Sequence, residues 1–196
     1  MMTPLRHLMP AALASLTLAA QAVPVTVQLQ GPDGQPLAGA AVAVELKGRP
    51  SRATHAKAEM GQRDRQFTPQ LLVVQTGTAV SFPNFDTVRH HVYSFSPIKV
   101  IDIKLYAGTP TEPIVFDKPG VATLGCNIHD RMSAHIVVVD TPLFARTDDK
   151  GQASFELPAG AHAVKAWHAG QKSPNLQSLR LDVPAAGGPL ALTLSD

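Results

Sequence analysis

Beyond its first two dozen residues the chain is written in short alternating runs. Val23 to Leu29 alternates apolar and polar positions and stops at Gly31-Pro32-Asp33-Gly34, a strong turn sequence. Ala41 to Leu46 alternates again and ends at Gly48-Arg49-Pro50. Shorter apolar runs follow at Leu71–Val74, Ala79–Phe82, His91–Phe95, Ile114–Phe116 and Ile136–Val139, each bounded by Gly, Pro, Asn or Asp. Ala163–His168 and Leu179–Val183 read as two further strands. The segment Ser51–Arg65, rich in Ala and charge, is expected to be a short helix or an irregular loop. Short strands with frequent turns and almost no helical period predict an all-β sandwich or barrel.

The N-terminus follows another rule. Arg6 and His7 precede an apolar stretch from Leu8 to Ala20, which ends in the small-x-small pattern Ala20-Gln21-Ala22. This predicts a secretory signal peptide over residues 1–22, hence export to the periplasm and no membrane span after its removal.

Composition narrows the function. Of 196 residues, 16% are charged and the formal net charge is +2, which argues against a nucleic-acid binder with its usual clustered basic face. The single cysteine excludes an internal disulfide, a multi-cysteine zinc site and a cysteine-ligated iron–sulfur cluster. In an exported protein a lone thiol is a liability unless it is buried, paired between chains or bound to metal.

That cysteine sits in Gly125-Cys126-Asn127-Ile128-His129-Asp130-Arg131-Met132, so a thiolate, an imidazole and a thioether recur at every third position. Upstream, Arg89-His90-His91-Val92 supplies another imidazole as a strand begins. Neighbouring strand residues face opposite sides, so only one of His90 and His91 can face a buried metal. Two His, one Cys and a weak Met are the ligand set of a blue-copper site, where soft sulfur favours Cu(I) and imidazole tolerates both oxidation states.

The pattern Cys-x-x-His-x-x-Met resembles the short ligand loop of the cupredoxin family, in its amicyanin and plastocyanin branches. Two further stretches resemble that family's strand framework: Phe67-x-Pro69-x-Leu71-x-Val73-x-x-x-Gly77-Thr78-x-Val80-x-Phe82-x-Asn84-x-Asp86, and Phe116-Asp117-Lys118-Pro119-Gly120-Val121. Exported plastocyanin-like proteins of methylamine-utilisation type are similar. The resemblance implies a Greek-key β-sandwich holding one type 1 copper per chain, with His90, Cys126 and His129 in its plane and Met132 axial. It assigns the upstream ligand to His90 and puts His91 where the family has Asn. His91, Asn127, Ile128 and Asn84 are the residues expected around the ligands. Ile128 stands where Pro is common, which frees an N–H toward the Cys126 sulfur.

The tail is of another kind. Thr147-Asp148-x-x-Gly151 followed by Leu157-Pro158-x-Gly160 resembles the small carboxypeptidase-regulatory or transthyretin-like sandwich, as do the first strands. The implied organisation is accessory strands over 23–50, a cupredoxin-like domain over 51–140 and the rest of the accessory module over 141–196. One elongated sandwich with extra strands is the alternative.

The expected function is single-electron transfer between redox proteins, a cytochrome or a dehydrogenase being the candidate partner classes. No enzymatic activity is expected: a copper oxidase needs extra His pairs, and no His-x-His occurs. A copper carrier or storage protein, and a binding module with a vestigial metal loop, are the alternatives.

Overall fold

The computed structural model describes residues 21–45, 51–110 and 112–195. The expected signal segment lies outside the described residues except for its last two positions. The described residues form strands, turns and bends and no helix, so none is long and apolar enough to cross a membrane.

In chain order the strands begin with β1 (Ala22–Gln30) and β2 (Ala41–Val44). Short strands follow: β3 (Lys57–Glu59), β4 (Gly61–Arg63), β5 (Gln66–Thr68), β6 (Leu71–Gln75) and β7 (Thr78–Ser81). The middle of the chain continues with β8 (His90–Ser96), β9 (Lys99–Tyr106), β10 (Ile114–Phe116), β11 (Gly120–Gly125) and β12 (Ser133–Val139). It ends with β13 (Phe144–Arg146), β14 (Gln152–Pro158), β15 (Gly160–Trp167), β16 (Gln177–Val183) and β17 (Gly188–Thr193). The all-β sandwich read from the alternation is what the chain adopts. Ser51–Arg65 departs from expectation: after an irregular start it supplies β3 and β4. Its helix-like composition is overridden because β3 finds a parallel partner in β7, and Met60, Gly61 and Gln62 are buried.

The sheets divide by origin along the chain. Strands from its two ends make the sheets β14-β1-β17 and β13-β2-β15-β16. Strands from its middle make β6-β12-β11-β8-β9, β10-β7-β3 and the hairpin β4-β5. Each group has its own core. Val25, Val27 and Leu29 of β1 pack with Val42, Phe155, Leu157, Val164 and Leu181. Phe67, Val80, Phe82, Val92, Phe116 and Leu124 make the second core, which also takes in Cys126 and Met132.

Strand alternation also joins the groups. All four residues of β2 are buried: Val42 and Val44 face the first core, while Ala41 and Ala43 face the other way. On β12, Ile136 and Val138 face the second core, and Val137 and Val139 meet Ala41, Ala43 and Trp167 in a third cluster. The small alanines leave room for the Trp167 indole, whose ring lies 4.7 Å from that of His135. The Thr141 hydroxyl donates to the Val44 carbonyl at 2.7 Å beside this seam.

Candidate metal centre

Strands β11 and β12 pair antiparallel as far as Gly125 and Ser133, so residues 126–132 are the connection between them. Backbone bonds close it: Cys126 N–H donates to the Met132 carbonyl at 3.2 Å, and Met132 N–H to the His129 carbonyl at 2.8 Å. The loop turns its every third residue inward. Cys126 and Met132 are buried, His129 is half-buried, and Asn127, Ile128, Asp130 and Arg131 are exposed.

Strand β8 lies beside β11, with Tyr93 opposite Gly125, and this brings the start of β8 over the loop. His90 is fully buried and presents Nδ1 to the Cys126 sulfur at 3.9 Å. His129 presents its own Nδ1 to the same sulfur at 3.7 Å. Metal–nitrogen and metal–sulfur bonds of about 2.0 and 2.3 Å at about 120° hold their donor atoms about 3.7 Å apart. The three donors of His90, Cys126 and His129 lie within 4.8 Å of one another, so the residues fit a single ion. The two imidazole rings are 5.0 Å apart and tilted by 57°. Met132 packs in the same buried cluster as Cys126.

His91 does not join this group. A register shift between His90 and Val92 marks the bulge, and the His91 ring turns to Asp102, with Nε2 and Oδ1 at 2.7 Å. Lys104 first and His91 second hold the Asp102 carboxyl below the usual carboxylate range. Asn84 organises the segment leading to His90. Its Nδ2 donates to the carbonyls of Val88 at 2.8 Å and Tyr106 at 3.0 Å, and its Oδ1 accepts the Asp86 N–H at 2.9 Å. Ile128 is 48% exposed at the rim, and Asn127 lines a groove with Tyr93, Phe95, Cys126 and Met132.

Three residues at the site carried no expectation from sequence. Asp86 Oδ2 lies 2.7 Å from His90 Nε2, while Nδ1 of the same ring faces the Cys126 sulfur. Burial pushes the Asp86 carboxyl up, but the Arg65 N–H, the His90 ring and the Asp64 N–H outweigh it and hold the pKa low. Its place four residues before His90 was the available signal. Tyr106, opposite His90 on β9, donates its hydroxyl to the Phe82 carbonyl at 2.6 Å and accepts from the buried Gln62 amide. Burial first, and then the nearby Cys126, push the Tyr106 phenol up to about 12, against the lowering effect of Gln62. Gln62 and Tyr106 are 44 residues apart, and no local pattern announces such a pair.

No protein-family model matches the chain, and no curated protein matches it. Solved structures do. The purple cupredoxin from Nitrosopumilus maritimus is 22% identical over 42% of this chain and 98% of its own, with a TM-score of 0.36. Amicyanin from Paracoccus versutus is 16% identical over 50% of this chain and 96% of its own, with a TM-score of 0.38. Both matches span half of this chain or less and nearly all of each cupredoxin.

Proposed function

We propose that the chain is an exported, periplasmic copper protein that carries single electrons between redox proteins and catalyses no reaction of its own. The observation that carries this is the convergence of His90 Nδ1, Cys126 Sγ and His129 Nδ1 beside a buried Met132. Copper held there would supply one reversible electron, cycling between Cu(I) and Cu(II).

The chain's own residues do the rest. Cys126 provides the one thiolate, shielded from oxidants by burial. His90 is fixed by burial and by the Asp86 carboxylate. Met132 and the apolar residues of the second core keep water from the donors. His129 is half-buried while its loop neighbours are exposed, which makes its ring edge the route by which electrons leave. The partner is a redox protein, a cytochrome or a dehydrogenase. Export rests on the residues over 1–22.

The sheets built from the chain ends share one core, which supports reading 23–50 and 141–196 as a single accessory module interrupted by 51–140. The test of function is reversible reduction of the copper-loaded full chain by one electron, with colour lost and regained and the metal retained. Binding of colourless Cu(I) alone, with no stable Cu(II) form, would assign the chain to copper carriage instead.

A further inference from the structure

The hairpin of β4 and β5 turns through Asp64 and Arg65, both with positive φ, at 54° and 58°. A two-residue turn of this kind favours Asn-Gly, because side chains are strained in the left-handed region. Here two ordinary residues hold it, and their N–H groups converge on one acceptor. The Asp64 N–H donates to Asp86 Oδ1 at 2.7 Å and the Arg65 N–H to Asp86 Oδ2 at 3.0 Å. That same Oδ2 lies 2.7 Å from His90 Nε2. The Asp86 backbone is held in turn by Asn84 at 2.9 Å. One carboxylate thus receives three donors, and each of its oxygens has a fixed direction. His90 is fully buried, so this carboxylate is the partner that its outer nitrogen meets.

We propose that Asp86, clamped by the Asp64–Arg65 turn, is a positioning residue that fixes His90 in its metal-binding tautomer and favours the higher-charged metal ion by its own negative charge. The proposal rests on the metal-centre reading above. A carboxylate that only capped the hairpin would be replaceable by any acceptor of the same shape. A positioning carboxylate acts on the metal through its charge, because an anion hydrogen-bonded to an imidazole makes that imidazole a stronger donor. Asparagine separates the two roles in part: Asp86→Asn keeps the shape and one acceptor oxygen, loses the charge, and turns an NH2 toward one of the three donors.

The test uses Co(II) with the metal-free full chain, read by thiolate-to-cobalt absorption and by competition against a chromophoric chelator. Asp86→Ala should weaken Co(II) about 10–100-fold. Asp86→Asn should weaken it by a smaller factor, lower the urea midpoint less than Asp86→Ala does, and narrow the preference for Cu(II) over Cu(I), raising the reduction potential. The His90 Nε2 proton should be visible by NMR in the Zn(II)-loaded wild type and lost in Asp86→Ala. Equal Co(II) affinity in all three proteins, or a loss in Asp86→Ala restored in full by Asp86→Asn with an unchanged potential, would overturn the proposal. Wild type that binds Co(II) through Cys126 yet forms no stable Cu(II) state would sink electron transfer and leave Asp86 to be judged on Co(II) affinity. Wild type that binds neither metal would overturn both.

Discussion

Gly125 immediately precedes the candidate thiolate ligand, and the Tyr93 ring lies against it. A Cβ added at Gly125 would sit 2.6 Å from both Cζ and Oη of Tyr93, where ordinary contact begins near 3.4 Å. The ring would have to retreat by about 0.8 Å. It is flanked by the His91 ring at 6.0 Å and the Phe95 ring at 5.4 Å. Overpacking of this kind costs about 1–3 kcal/mol, and the Ala-for-Gly gain in a strand returns about 0.5–1 kcal/mol. Taking the middle of each range, Gly125→Ala should therefore lose about 1 kcal/mol in urea unfolding. Replacing Tyr93 by Leu should remove most of that cost, giving a coupling of about 1 kcal/mol in a double-mutant cycle. The copper-loaded Gly125→Ala protein should also show a shifted visible band, because the Cys126 backbone moves with its neighbour. A cost below about 0.5 kcal/mol, or the same cost in the Tyr93→Leu background, would refute the packing argument.

Four further outcomes follow from other parts of the fold. Burial holds the His135 pKa below its ordinary 6.5, so the unfolded chain binds this proton more readily. Stability should thus fall as pH drops through about 6.5 and level off below the folded pKa, and His135→Gln should flatten that part of the profile. Trp167, the one tryptophan in the chain, lies against His135, and its fluorescence should report the same titration. Trp167→Ala should cost about 3–5 kcal/mol, because the indole fills the seam between β2 and β12. Limited proteolysis of that variant should release a core spanning roughly 51–140, and a fragment pattern identical to wild type would count against two modules.

The outline of the fold was legible where a strand has one wet and one dry face. β1 alternates in sequence and in burial alike. β2 reads the same way, although its second face is covered by other strands and not by water. β9 went unread despite its alternation, because its exposed positions include Val100, which is 71% exposed and apolar. β17 opens with Gly188-Pro189, a turn signal, yet Pro is tolerated there because the strand lies at a sheet edge beside β1. In the site, Cys126, His129 and Met132 were readable from their spacing in one loop, and the bulge separates His90 from His91. Gln62 and Tyr106 were not, because their pairing joins positions 44 residues apart; Asp86 stands four residues before His90, but the turn that holds it lies 21 and 22 residues upstream.

In the proposed function His90, Cys126 and His129 together hold one copper ion. This is tested most directly by the optical and EPR spectrum of the full chain loaded with one equivalent of Cu(II). An intense visible thiolate-to-copper band is expected, kept in His91→Ala and lost in His90→Ala, Cys126→Ser and His129→Ala. A colourless Cu(II) adduct in the wild type, or a band that survives His90→Ala and disappears in His91→Ala, would contradict it.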